Sequence, residues 1–191
     1  MMLLSYYSVA TFSNVYIAAC STTGEAVVVD PARFEAPLLE FIESNGLSVR
    51  YVLVTRPEVE HEQGIRTLRR IYDAQVCAGV PEVAGFQTLL AEDGTTIELG
   101  SQRINTIGLS AHSHDARAFR CGHLLFTGPV LTAGDRATEH PGYSLVRLRD
   151  MVEQRLLGLP ADTVVLPRSG PPTTIGLERE TNIALRPPQP I

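Results

Sequence analysis

Lysine is absent from this 191-residue chain, and all sixteen of its basic residues are arginine. Schiff-base and lysine-nucleophile mechanisms are thereby excluded, because a guanidinium keeps its proton and has only donors to offer. Cysteine is scarce: Cys20, Cys77 and Cys121 are odd in number and far apart, without the Cys-x-x-Cys spacing of zinc or redox motifs. They read as buried free thiols, and with them the chain reads as a protein of a reducing, cytoplasmic compartment. The start, Met1 to Tyr7, has no basic segment and too short an apolar run, so neither a signal peptide nor a membrane span is expected. The basic residues are scattered and the net charge of -5 is mild, which leaves no electrostatic footprint for nucleic acid. No exact internal repeat recurs, and no Gly-x-Ser-x-Gly elbow marks a serine nucleophile.

What is present is a chain 44% hydrophobic, sized for one globular domain with a substantial core. That domain is expected over residues 1–186, with a Pro-rich tail at 187–191. Met1 to Tyr7 reads as a first strand, and buried strands follow at Val15 to Cys20, Ala26 to Val29 and Tyr51 to Val54. Phe34, Leu38, Phe41 and Ile42 share a helical face that stops at Asn45-Gly46. Ile65, Leu68 and Tyr72 predict a second helix, and Leu145, Leu148, Val152 and Leu156 a third. Between Gly94 and Gly128, short strands fit Thr96 to Leu99, Arg103 to Ile107, Arg117 to Arg120 and Leu124 to Thr127, and a last strand fits Thr163 to Leu166. Alternating strands and helices around central hairpins predict packed sheets flanked by helices.

Several polar segments stand at or just beyond strand ends, where loops often carry function. They are Thr55-Arg56-Pro57-Glu58-Val59-Glu60-His61, Leu109 to Ser113, Phe126-Thr127-Gly128-Pro129 and Leu166-Pro167-Arg168-Ser169. Thr174-Ile175-Gly176-Leu177-Glu178, reaching to Asn182, follows the last of them.

In order and spacing these segments resemble the metallo-β-lactamase fold superfamily, and in it the glyoxalase II and persulfide dioxygenase branch, across nearly the whole chain. That family reads T-H-x-H-x-D-H, a T-P-G-H-T-like loop, F-T-G-D, and P-G-H or P-A-H ahead of T-I-G-x-E-x-x-x-N. The resemblance implies an α/β, αββα sandwich of two mixed sheets flanked by helices. It also implies two metal sites: one at the positions of Arg56, Glu58 and His112, the other at Glu60, His61 and Ser169, with Pro129 at the bridge. Of these, only His61 and His112 are family ligands.

Arg56 cannot ligate a cation, Pro129 has no side-chain donor atom, and Ser169 is a poor ligand for zinc or iron. A two-metal hydrolase needs ions about 3.5–4 Å apart clamping a hydroxide, and nothing at position 129 can bridge them. The single iron of the dioxygenase branch would need ligands at Arg56 and Pro129, so no sulfur dioxygenation is expected. Instead, Arg56, with Arg168, is expected to neutralise Glu58 and Glu60, which lie close together in the cleft. The same charges also fit a solvated loop.

Two functions remain open. One is a non-catalytic member of the fold, or pseudoenzyme, without a cofactor, whose cleft binds a small anionic or thiol-derived ligand or a protein partner. The other is a glyoxalase II-like hydrolase of thioester-type substrates with a rebuilt site, one zinc or iron ion held by Glu58, Glu60, His61 and His112. His112, His114 and Asp115 form a polar cluster that these acids could join. Ser110, Ser113 and Ser169 near His112 give only thin support for a triad. His123 and His140 read as ordinary hairpin and loop residues. Glyoxalase II continues past the Thr174 to Glu178 segment into a helical domain that binds glutathione. This chain ends sooner, so glutathione specificity is not carried over, and Arg179 and Asn182 read as structural caps. Members of the family often pair, so a homodimer is a further expectation.

Overall fold

The computed structural model describes residues 1–136 and 145–185, so the tail at 187–191 and His140 lie outside the described residues. The chain runs through β1 (Met2–Ser8), β2 (Ser13–Ala19), β3 (Glu25–Val29), α1 (Ala36–Ser44), β4 (Ser48–Leu53), α2 (Glu62–Tyr72) and β5 (Gln75–Ala78). Short strands β6 (Glu82–Val83), β7 (Phe86–Gln87) and β8 (Leu89–Leu90) lead to β9 (Thr96–Leu99), β10 (Gln102–Gly108), β11 (Arg117–Cys121) and β12 (Leu124–Gly128). Then come β13 (Leu131–Thr132), β14 (Asp135–Arg136), α3 (Leu145–Arg155), β15 (Val164–Pro167), β16 (Thr173–Thr174) and α4 (Ile175–Thr181).

Two six-stranded sheets result, ordered β1-β2-β3-β4-β5-β8 and β16-β15-β12-β11-β10-β9. Both are mixed: β3, β4, β5 and β8 run parallel in the first, and β12 and β15 in the second, with antiparallel neighbours beyond. Because successive strand side chains leave by opposite faces, each run of buried residues serves two layers. In β2, Val15, Ile17 and Ala19 pack with Leu38 and Ile42 of α1 and Ile65 and Leu68 of α2. Tyr16 and Ala18 face the other way, meeting Phe119, Phe126 and Leu166 between the sheets. On the far side, Leu125 and Val165 join Leu148 and Val152 of α3, Leu156 beyond it, and Ile175 of α4. Three apolar layers between four layers of secondary structure make the αββα sandwich. Each buried Leu or Ile in them is worth roughly 2–5 kcal/mol against truncation to alanine.

α1 ends where expected, at Asn45 and Gly46, the latter with φ 59°, a conformation that favours glycine. Several elements were not anticipated: the two-residue strands β6, β7, β8, β13, β14 and β16, and with them β5 and α4. β5 is four residues long and buried on three of them, too short for its period to show. α4 is seven residues long and starts under a Thr174 cap, whose Oγ1 accepts from Leu177 N at 3.2 Å. Among the described residues, no helix is long and apolar enough to cross a membrane.

Candidate functional site

The carboxyl ends of β3 and β4 in one sheet and of β12 and β15 in the other meet at a single edge of the sandwich. Asp30, just past β3, accepts from Thr55 N at 2.8 Å and from Thr55 Oγ1 at 2.6 Å, locking the loop after β4. Arg117 N donates to Thr55 O at 2.7 Å across the sheets. Gly128, with φ +57°, lies so close that a Cβ there would sit 2.2 Å from Thr55 Oγ1. From the second sheet, Arg168 N donates to Gly128 O at 2.9 Å, and Asn14 N to Arg168 O at 2.6 Å. The Asn14 amide bonds Pro167 O at 2.9 Å and Gly170 O at 2.8 Å, and Tyr16 OH bonds Pro167 O at 2.6 Å.

On this frame Glu58 lies between two arginines. Arg56 Nη1 is 3.5 Å from Glu58 Oε1, and Arg168 Nη1 is in contact with Glu58 Oε2. All three side chains are largely withdrawn from water, with exposures of 21%, 17% and 18% for Arg56, Glu58 and Arg168. Burial lowers the pKa of Arg168 from its ordinary value; the Asp30 charge opposes that shift and Arg56 adds to it.

The remaining expected residues are distributed unevenly. His61 is buried in the turn Val59–His61, and neither ring nitrogen has a hydrogen-bond partner among the described residues. Glu60, in the same turn, is exposed. Successive residues of a tight turn point about 120° apart, so with His61 turned inward Glu60, expected beside Glu58, faces water. His112 is buried after β10, whereas His114 is exposed. The expected His112, His114 and Asp115 cluster is therefore split. Two consecutive turns, closed by His112 N to Leu109 O and Ala116 N to Ser113 O at 3.0 Å each, separate the imidazoles. Pro129 is half-buried beyond Gly128, and Ser169 and Ser110 are exposed. Among the described residues, no three His, Cys, Asp or Glu side chains group to hold a metal ion.

Arg179 and Asn182 serve structure. Arg179 bonds Leu159 O at 3.0 Å, and buried Asn182 bonds Asp135 O at 3.0 Å and Glu178 Oε2 at 2.6 Å. Cys20, Cys77 and Cys121 are buried and free. Asp30 and Asn14 went unnoticed in the sequence, although an acid closing Val27-Val28-Val29 ahead of Pro31 is a legible signal of a buried carboxylate with a task.

No protein-family model matches the chain. The hydroxyacylglutathione hydrolase of Gloeobacter violaceus is 31% identical over 149 residues, covering 72% of this chain and 58% of that protein. The chain spans about half the length of the hydroxyacylglutathione hydrolases it matches. Among solved structures, ETHE1 from Myxococcus xanthus superposes with a TM-score of 0.86 at 21% identity, over 96% of this chain and 84% of that one. The BLEG-1 B3 metallo-β-lactamase gives 0.85 at 20% identity, over 96% and 99%. The chain has the metallo-β-lactamase fold. In sequence it resembles the hydroxyacylglutathione hydrolases, the glyoxalase II enzymes.

Proposed function

We propose that this chain is a non-catalytic member of the metallo-β-lactamase fold, without a two-metal centre, whose cleft takes a small anionic or thiol-derived ligand or a protein partner. The observation that carries the reading is the Glu58 carboxylate held between Arg56 and Arg168, with all three side chains largely buried. The donor set does not fit a metal pair. Two guanidiniums at the cleft offer hydrogens rather than lone pairs and repel a cation, and Pro129 offers no donor atom. Arg168 has five donors, and its described side-chain partner is Glu58. It is the group that would meet the carboxylate or phosphate of a ligand.

The test is elemental analysis of protein purified without added metal, together with a hydrolysis assay on a glutathione thioester. The expected result is metal far below one ion per chain and no hydrolysis above the buffer rate. Stoichiometric zinc or iron with thioester turnover would overturn the reading. One observation favours the second reading, a single-ion hydrolase. His61 buries an imidazole whose nitrogens have no described partner, and an ion would satisfy one of them. In that case the ion is present in the parent protein and lost from His61→Ala.

A further inference from the structure

Helix α3 has a second face. Leu148, Val152 and Leu156 point into the core, while Arg147, Asp150, Met151, Gln154 and Arg155, spaced i, i+3, i+4, i+7 and i+8, line a cavity of about 470 Å³. The opposite wall comes from the loop after β10, through Ser110, Ala111 and His114, with Arg117 of β11. None of Arg56, Glu58 and Arg168 takes part in it.

The charges of this cavity are not balanced. Asp93 is in ion-pair contact with Arg155, and its Oδ1 also accepts from Gly108 N at 2.8 Å. Asp150 is engaged by Arg149, at 2.9 Å. Both acids of the lining are therefore already committed. Arg117 is fixed by backbone carbonyls, through Nε to Ala91 O at 2.5 Å and Nη1 to Ala116 O at 2.8 Å and His114 O at 2.9 Å. Carbonyls orient a guanidinium without cancelling its charge, and Asp93, which also feels Arg117, is shared with Arg155, so Arg117 presents a held and only partly compensated cation. Arg147 is exposed and is in no ion pair among the described residues. Between the walls, Ala111 N donates to Met151 Sδ at 3.2 Å, a thioether that accepts only weakly, so this N–H would gain by meeting an oxyanion. Met151 and Ala111 add apolar surface beside these donors.

We propose that this cavity is a binding site for a small organic oxyanion, a phosphate ester or a carboxylate. The anionic group lies between Arg117 and Arg147, and a short apolar body rests on Met151. The volume lies in the range of small-molecule sites. The site is independent of whether the cleft at Arg56, Glu58 and Arg168 is catalytic.

The test is a titration of the full chain with phenyl phosphate and, separately, benzoate, followed by amide chemical shifts. Saturable shifts at Ser110, Ala111 and Arg147 are expected with at least one of the two, and the tighter of them identifies the oxyanion. Arg147→Gln, at an exposed helix position, should fold normally and weaken that affinity about tenfold or more. Arg103→Gln, at an exposed position of β10 outside the lining, should leave it unchanged. Affinity unaltered in Arg147→Gln, shifts confined to the Arg168 cleft, or no saturation with either probe at about 10 mM would each overturn the proposal.

Discussion

At the residue scale, the Glu58 carboxylate reconciles two guanidiniums at this edge of the sandwich. Removing it in Glu58→Ala leaves Arg56 and Arg168 facing each other with little water to screen them. The expected loss of unfolding free energy is roughly 1–3 kcal/mol, read from urea denaturation, with a smaller loss for Glu58→Gln. An unchanged midpoint in Glu58→Ala would mean that the ion pairs contribute nothing. The buried thiols give a pH dependence. Burial pushes Cys77 from its ordinary 9.0 up to about 12 and Cys121 up to about 11, the latter aided by nearby Cys20. Between pH 9.0 and those values the unfolded chain has released protons that the folded chain retains. Stability is therefore fully present below pH about 9 and falls above it, at up to about 1.4 kcal/mol per pH unit for each thiol. Denaturation midpoints measured between pH about 9 and about 11 should decline, and decline less steeply in Cys77→Ala. An identical slope would assign the alkaline loss to other groups, such as buried Tyr16, whose pKa burial also raises.

At this scale the sequence was informative about identity and silent about direction. That position 56 is a permanent cation and position 129 has no ligand atom follows from the residues alone. That Glu60 faces water while His61 is buried depends on a single turn, and no periodic signal spans three residues. Asp30 matters through its bonds to Thr55, which stands 25 positions away, so its role depends on two parallel strands lying side by side.

At the element scale, α4 is too short to hold itself in water; Ile175 seats it in the core, and buried Glu178 fastens it to its neighbours. Glu178 accepts from Gly134 N at 3.2 and 3.1 Å, from Thr173 Oγ1 at 2.7 Å and from Asn182 Nδ2 at 2.6 Å. It thus ties the helix to the β13–β14 hairpin. Glu178→Ala leaves the buried Thr173 and Asn182 donors without an acceptor and should cost roughly 2–4 kcal/mol. Amide exchange should accelerate first in α4 and around Gly134; uniform acceleration would show that the helix is held by other means. α2 depends on a different device. A Cβ on Gly64 would lie 1.8 Å from Pro31 O, so the helix seats directly on the chain that leaves β3. In sequence, Gly64 is merely a glycine near the start of a helix. The amphipathic helices and the long strands were legible because their periods repeat several times, whereas β5 and α4 offered only about two periods each.

At the scale of the whole molecule, the chain has the metallo-β-lactamase fold, and of the seven ligand positions that the resemblance implies, five hold other residues. If the backbone geometry has persisted, restoring Arg56→His, Glu58→His, Glu60→Asp, Pro129→Asp and Ser169→His together should bring zinc to the chain, measured by elemental analysis after dialysis. The ligands share one site, so single restorations should bind little, and the gain should be strongly non-additive. A folded five-fold variant that holds no zinc would show that the loops themselves have moved.

By itself the sequence determined the layers. Period-2 and period-3.6 patterns of apolar residues set which faces are buried, and the ordered loop segments mark one known sandwich. It also determined what the cleft lacks, because proline has no ligand atom and arginine no lone pair. Only the tertiary structure decided which charges meet. Of the two acids expected at Arg56 and Arg168, Glu58 is the one that Arg168 meets, 110 positions away, while Glu60 is left exposed, and α3 was given a second, polar face over a cavity. The physical reason is that burial follows local periodicity, while ion pairs and cavities depend on the relative placement of elements, which no local pattern records.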